Sequence, residues 1–296
     1  MKSNMKRSHE PSLAFGGQAV IEGVMIRSRN YMVISVRQPN KQILTKTEKI
    51  NSLTEKHNAL KLPFLRGIVA LFETLYLGIN GLSFSANVSL GEKEQLKTKE
   101  IVLSVIFALV LAVSLFSITP FLLSNLLGVV GLAFYWVEAG IRLAIFMVYL
   151  GLMGLLKDMR RVFQYHGAEH MAINTYEAGM ELNVENAKKF SRLHPRCGTS
   201  FLLIVTVISI LVFSIMPNLG FWITLSYRIL LIPLISAISY EILKLSDRYK
   251  NSPIMKILTL PGLGLQYLTT RKPDDDMLEV ALNAVKEVDK LTKPTA

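Results

Sequence analysis

The apolar positions of this chain are concentrated in long blocks instead of being spread evenly along it. Residues 101–156 contain only two charged side chains, Glu138 and Arg142, and residues 200–243 also contain two. A helix needs about 20 apolar residues to cross a bilayer. The pattern therefore predicts four transmembrane helices, arranged as two hairpins: 101–124, 132–156, 200–216 and 220–243.

The segment 63–88 is also apolar, but a polar residue interrupts it at every seventh position. On a helix, this spacing places the polar side chains on one stripe. The stripe consists of Arg66, Glu73, Asn80 and Asn87. We expect a helix that lies in the membrane interface or packs its stripe inside a bundle, and we do not count it as a span. A charged linker, 89–100, follows it.

Short-range alternation of apolar and polar residues marks the N-terminal part, 1–62, as a small β-rich element. The predicted strands and the hairpin turn are Ala19–Met25, Met32–Arg37, Gln38–Lys41 (the turn) and Gln42–Thr47. At the other end, 251–273 is rich in proline and glycine and is predicted to be irregular. Asp274–Leu291 is predicted to be an amphipathic helix, whose acidic start suits the helix dipole.

Charge decides the predicted orientation. The chain has 33 basic and 22 acidic residues, and seven Lys/Arg fall in the loop 157–199. Because cytoplasmic loops of membrane proteins are rich in Lys and Arg, we place both termini and this loop on the cytoplasmic side. The fold class is therefore mainly α: a polytopic membrane helix bundle of about four transmembrane helices, with a small β-element on the cytoplasmic side.

Composition narrows the partners and the compartment. With 51% hydrophobic and 19% charged residues, the chain is neither disordered nor an ordinary soluble domain. The single cysteine, Cys197, permits no intrachain disulfide. The basic residues are scattered without interleaved aromatics, so we expect no nucleic-acid partner. We expect the cell membrane as location and membrane lipid as partner, and homo-oligomerisation stays open.

Chemistry concentrates in the 157–199 loop. His166, Glu169 and His170 form H-x-x-E-H, the inverse of the zincin motif. On a helix the two histidines lie one turn apart on one face and can reach one ion, with Glu169 as general base. His194, Glu177 and Cys197 are further candidate ligands for a divalent metal, with zinc the first choice.

The same residues of the loop are also compatible with a structural zinc site or with no metal at all. A structural zinc would use four protein ligands, whereas a catalytic one leaves a position for water. The histidines could also serve only to hydrogen-bond backbone or lipid phosphate.

Charged residues elsewhere are candidate substrate contacts. Arg142 and its neighbour Glu138 lie deep in a predicted span, where ionisable groups face a bundle interior or a wet cavity. Arg142, Arg196 and Arg66 could hold an anionic group. Glu22 could reach the metal site if the β-element folds over the loop.

Long motifs spread over nearly the whole chain resemble the bacterial YqhQ-like family, known as domain of unknown function 1385. They are GGQAVIEGVMIR (16–27), LRG (65–67), YHGAEHMAINTYE (165–177), HPRCGTSFLL (194–203) and LPGLGLQYLTTRKPDDDMLEVAL (260–282). The resemblance implies an integral membrane protein and a metal-dependent enzyme without a settled substrate. Its motif positions coincide with the candidate site residues named above.

Two functional hypotheses follow. The first is a membrane-embedded, metal-dependent hydrolase that acts at the cytoplasmic face on a lipid or a membrane-proximal substrate. The second is a non-enzymatic membrane protein, either a transporter or an assembly scaffold with a structural metal site.

Overall fold

The computed structural model describes residues 15–91, 95, 97–216, 220–249 and 252–293, without the side chains of 247 and 254–258. The chain begins with a four-stranded antiparallel sheet in which strands adjacent in sequence are adjacent in space. Its strands are β1 (Gly16–Val20), β2 (Gly23–Arg27), β3 (Tyr31–Arg37) and β4 (Ile43–Lys49).

The two later predicted strands are confirmed as β3 and β4, and so is the turn between them. The prediction of one strand over Ala19–Met25 is wrong. The chain reverses there, so that Val20 pairs with Gly23 across a two-residue turn. Glu22 sits in this turn with a φ of 51°, in the left-handed region that residues other than glycine rarely adopt. The apolar alternation of 19–25 thus conceals a hairpin.

Helices make up most of the remaining chain. They are α1 (Leu53–Lys56), α2 (Leu65–Leu90), α3 (Thr98–Val113), α4 (Thr119–Leu126), α5 (Leu132–Met153), α6 (Lys157–Glu177), α7 (Val184–Ala187), α8 (Gly198–Ser214), α9 (Phe221–Leu230), α10 (Ile232–Arg248), α11 (Pro253–Thr269) and α12 (Asp275–Thr292). A 3₁₀ turn forms at Asn58–Lys61, and a π-helical turn, Ser114–Ile118, joins α3 to α4.

Three helices are long and apolar enough to cross a membrane: α2, the continuous α3–α4 unit and α5. A fourth is added if α9 and α10, bent by 42°, count as one span. The predicted span at 200–216 becomes the shorter helix α8 of 17 residues. Conversely, α2, which the sequence analysis did not count as a span, is long and apolar enough to cross a membrane. Its second half, however, packs against the sheet.

The two central strands of the sheet, β2 and β3, are buried on both faces. Val24, Ile26 and Val33 point towards α6 and α12. The alternate residues of the same strands, including Met25 and Ile34, point towards α2. Because successive side chains of a strand point to opposite faces, β2 and β3 fill two apolar layers at once.

Two regions are more helical than the sequence indicated. About half of the predicted loop 157–199 is the helix α6, which carries the H-x-x-E-H motif. The predicted irregular segment 251–273 contains α11, so that prediction is wrong. Pro253 occupies the first turn of α11, where its missing N–H has no cost, and Pro261 lies inside the helix. The predicted C-terminal helix is confirmed as α12, with its apolar face buried.

Candidate metal centre

The two histidines of the motif lie side by side on α6. Their ring centroids are 4.4 Å apart, as expected for residues one helical turn apart. His170 is buried, whereas His166 is partly exposed. The helix therefore presents one imidazole to the protein interior and the other nearer to its surface.

Backbone carbonyl groups fix the orientation of both rings. The Nδ1 atom of His166 lies 2.8 Å from the carbonyl oxygen of Thr269, and that of His170 lies 2.6 Å from the carbonyl oxygen of Arg192. A carbonyl only accepts hydrogen bonds, so each Nδ1 carries a proton, and in a neutral imidazole the lone pair is then on Nε2. This is the arrangement in which metal-binding histidines are commonly held.

Cys197 completes a group of three converging donors. Its Sγ atom lies 3.1 Å from Nε2 of His166, and the three ligand atoms of His166, His170 and Cys197 all lie within 4.8 Å of one another. Cys197 is the N-cap of α8, and the backbone N–H of Thr199 donates to its sulfur at 3.4 Å. We call these three residues the histidine–cysteine cluster.

Burial shifts the pKa values of His170 and of its neighbour Glu169. Loss of water contact lowers the pKa of His170, which favours the neutral, metal-binding imidazole. The same effect raises the pKa of Glu169, with His166 and His194 opposing it. Glu169 lies against β1, where a Cβ atom on Gly17 would overlap its carboxylate. The carboxylate of Glu169 therefore packs against the first strand of the sheet.

His194 lies next to the cluster but does not aim into it. Its ring centroid is 5.7 Å from that of His170, and its Nε2 lies 3.6 Å from a carboxylate oxygen of Glu177. Glu177 also forms an ion pair with Arg196. The structure thus places these three predicted residues together in a neighbouring polar group, outside the three converging donors.

Glu22 lies in a different place from the histidines. Its carboxylate accepts hydrogen bonds from Nε and Nη2 of Arg161, both at 2.5 Å, and from the hydroxyl of Tyr165 at 3.3 Å. Burial, followed by the charge of Glu22, raises the pKa of Tyr165. These contacts tie the tight β1–β2 turn to α6 and do not bring Glu22 into the cluster.

The two remaining arginine candidates lie away from the cluster. Arg66 pairs with Glu241 and so joins α2 to α10. Arg142 is buried beside Glu138 and Ser209. Ser209 follows Cys197 by twelve residues on α8. At a rise of 1.5 Å per residue, this separates the partner of Arg142 from the cluster by about 18 Å along the helix axis.

Three supporting groups escaped the sequence analysis. Two are the carbonyl oxygens of Thr269 and Arg192, which carry no sequence signal because every residue has a carbonyl. The third is Gln266, which is fully buried and binds both the N–H (2.9 Å) and the carbonyl (2.8 Å) of His194. The sequence signal that could have indicated Gln266 is its position as a single glutamine within an apolar stretch of α11.

The fold and the cluster define a mainly helical protein with a small N-terminal sheet, several apolar helices compatible with membrane association and a group of potential metal ligands. The chain belongs to the family described as "Protein of unknown function (DUF1385)", whose model matches residues 62–291. It is similar to the uncharacterized protein YqhQ of Bacillus subtilis (strain 168), with 34% identity over 95% of this chain and 93% of that protein. No solved structure matches the chain.

Proposed function

We propose that this protein is a metal-dependent hydrolase embedded in the cell membrane, with a divalent ion, zinc first, held by His166, His170 and Cys197. One observation carries the proposal: two imidazole Nε2 atoms and a sulfur converge, and both rings are already held in the tautomer that leaves Nε2 free for a metal. Imidazole and thiolate are ligands that suit zinc.

The number of donors favours catalysis over a purely structural role. Catalytic zinc sites have three protein ligands and keep a fourth position for water or substrate. A divalent ion at such a site acts as a Lewis acid and makes hydroxide available near neutral pH. In this chain, His166 is the partly exposed member of the three, and Glu169, next to His170 in the sequence, would hold the proton released by a bound water.

The membrane part of the proposal rests on the apolar helices. The continuous α3–α4 unit has 29 residues, and none of its most apolar stretch is buried against the rest of the chain. Such a surface requires lipid or another apolar partner. With the Lys/Arg-rich segments on the cytoplasmic side, the cluster would lie at the cytoplasmic membrane face, where lipids and membrane-proximal groups are the available substrates.

The direct test is the metal content of the purified full chain, measured by elemental mass spectrometry. We expect about one zinc per chain in the wild type and in the control His57→Ala, which changes an exposed histidine. His166→Ala and His170→Ala should each lose the metal while remaining folded by circular dichroism. Equal metal content in all four proteins, or none in the wild type after zinc is offered, would refute the site.

The role of Glu169 needs a separate variant. Glu169→Gln keeps the size of the side chain but cannot take up a proton in the same way. We expect it to retain zinc and to lose hydrolysis of a chromogenic phosphate or carboxylate ester that the wild type cleaves. Turnover retained in Glu169→Gln would remove the general-base assignment but leave the metal site.

A structural metal in an assembly scaffold is the second candidate, favoured by the deep burial of His170 (1% exposed) and Cys197 (4% exposed). A structural zinc needs a fourth protein ligand, and His194 is the adjacent imidazole. His194→Ala should leave the metal content unchanged in a hydrolase and should abolish it in a scaffold.

A further inference from the structure

A second functional feature lies on α6, closer to its N-terminus than the histidines. It is a cavity of about 450 Å³ whose charged lining is entirely basic among the described residues. The cations that line it are Lys157, Arg160, Arg161, Arg192, Arg271 and Lys272. We call this cavity the basic pocket.

These cations largely lack anionic partners. Arg161 pairs with Glu22, but no ion pair is found for the other five within the described part of the chain. Three of the six also lie in the first turns of α6, where the helix dipole disfavours positive charge. Like charges gathered against the dipole raise the free energy of the folded chain, and a bound anion would offset that cost.

The pocket lies at the end of an apolar helix. The candidate span α5 ends at Met153, and the exposed residues Leu155 (73%) and Leu156 (50%) lead directly into Lys157. A Cβ atom placed on Gly154 would lie 3.5 Å from Nη2 of Arg271. Basic residues immediately outside a membrane helix commonly bind the phosphates of anionic lipids.

The basic pocket and the histidine–cysteine cluster share structural supports. Arg192 lines the pocket with its side chain, and its carbonyl oxygen holds His170. Arg271 lies two residues after Thr269, whose carbonyl oxygen holds His166. Along α6, Arg161 precedes His166 by five residues, or about 8 Å. The basic pocket and the cluster are therefore built on the same helix and on the same two supporting segments.

We propose that the basic pocket binds a phosphate group of the substrate, so that the substrate class is a phosphate-bearing anion. The assignment of this anion as substrate rests on the proposed hydrolase function. Arginine and lysine are the residues that recognise phosphate through charge-assisted hydrogen bonds. The carrier of the phosphate is either a phospholipid headgroup or a soluble phosphate compound, and both have the chemistry that the pocket recognises.

The test uses the full chain purified in dodecyl maltoside. In one arm, inorganic pyrophosphate is titrated into the protein by calorimetry. In the other, thermal unfolding is followed in mixed micelles that contain phosphatidylglycerol or, as the neutral comparison, phosphatidylcholine. Two double variants remove pocket charge, Arg192→Gln/Arg271→Gln and the exposed pair Lys157→Gln/Arg160→Gln. Lys286→Gln/Lys290→Gln removes the same charge from the exposed side of α12.

We expect the wild type and the α12 control to bind alike and each pocket variant to bind at least about tenfold more weakly. Binding of pyrophosphate would mean that the pocket can take a soluble phosphate compound. Stabilisation by phosphatidylglycerol alone would mean that the bound phosphate belongs to a lipid headgroup. Equal binding by all variants, or no binding of either probe by the wild type, would refute the proposal that the basic pocket binds phosphate.

Metal content measured on the same samples separates the two proposals. Zinc present without pocket-dependent anion binding would overturn the pocket and keep the metal centre. Pocket-dependent binding in a chain that holds no metal would keep the phosphate site and overturn the hydrolase.

Discussion

Two buried polar groups of this chain invite comparison: the histidine–cysteine cluster and a set of charges between the apolar helices. The second set, here called the arginine–glutamate cluster, consists of Glu138, Arg142 and Arg228. In the first, backbone carbonyl groups hold the two imidazole rings, and Nε2 of His166 lies 3.1 Å from the sulfur of Cys197. In the second, the charged groups bind each other.

The bonds of the arginine–glutamate cluster are nearly all internal. Arg142 donates to Glu138 at 2.6 Å and to Ser209 at 2.7 Å, and both terminal nitrogens of Arg228 donate to Glu138. Only the two Nε atoms have no acceptor among the described residues. Both guanidinium groups also lie over the ring of Phe213, at 5.0 and 4.8 Å. The cluster therefore joins α5, α8 and α9.

The difference shows that burial of a polar group does not by itself mark a binding site. What matters is whether the group's bonding capacity is used within the protein. The arginine–glutamate cluster uses most of that capacity between its own charged groups and connects helices, whereas the histidine–cysteine cluster brings three potential metal ligands within 4.8 Å of one another. Variants should therefore affect stability at the arginine–glutamate cluster and metal content at the histidine–cysteine cluster.

The largest effect is expected at Glu138. Glu138→Gln removes the only negative charge of the arginine–glutamate cluster and leaves two buried guanidinium groups unpaired. Breaking a buried ion pair in this way costs about 3–5 kcal/mol. We expect a large drop in the melting temperature in detergent, with unchanged metal content in the protein that remains folded.

Ser209→Ala is the matched control for Glu138→Gln. It removes one hydrogen bond from the same cluster and should cost about 1 kcal/mol. If Glu138→Gln melted no lower than Ser209→Ala, the cluster would not hold the helices together.

Metal removal should have the next largest effect, and only at the other cluster. A ligand present at 100 times its Kd stabilises the folded state by about 2.7 kcal/mol. Dialysis against a chelator should lower the melting temperature of the wild type, and returning zinc should restore it. His170→Ala should show no response to either treatment, and an equal response would exclude a metal at this position.

The supports of the histidine–cysteine cluster can be disturbed without touching its ligands. A Cβ atom on Gly167 would overlap the carbonyl oxygen of Arg271, in the segment that supplies the carbonyl of Thr269. Gly167→Ala should cost about 1–3 kcal/mol by overpacking. It should also weaken zinc binding, measured by competition with a chromophoric chelator.

Gly151→Ala tests whether the effect of Gly167→Ala is local. It places a methyl group where nothing lies within 4 Å, again in a helix. It should leave zinc binding unchanged. Similar zinc affinity in both variants would mean that the segment after α11 does not orient His166.

The smallest effect is expected at Glu22. Its pair with Arg161 is partly exposed to solvent, with 26% and 51% of the side chains accessible, and exposed pairs contribute about 0–1 kcal/mol. Glu22→Gln should lower the melting temperature only slightly and leave the metal content unchanged. Loss of zinc in this variant would show that Glu22 belongs to the metal centre after all.

Local patterns explain why most elements could be predicted. The strands β3 and β4 and the helix α12 have regular apolar spacings that continue over their full lengths. The β1–β2 turn was missed because apolar alternation continues through it and Glu22 is not a typical turn residue. The helix α11 was missed because its prolines are typical of loops, although the structure accommodates both within one helix.

The candidate site was predictable only where it is local. The spacing of His166 and His170 on a helix is enough to bring them together, because residues four apart share a helical face. Glu177 follows on the same face, but its carboxylate forms an ion pair with Arg196. Arg142 was grouped with the site because it lies deep in a predicted span, and Glu22 because the β-element could fold over the loop, but the fold places both elsewhere.

The sequence by itself determined the apolar helices, the strand alternation and the neighbouring imidazoles, because each depends on residues within a few positions of one another. Only the tertiary structure decided that Cys197 approaches those imidazoles, which carbonyl groups orient them, and that the buried arginines bind a glutamate instead of the site. These contacts join residues far apart in the chain, and they depend on how whole helices pack.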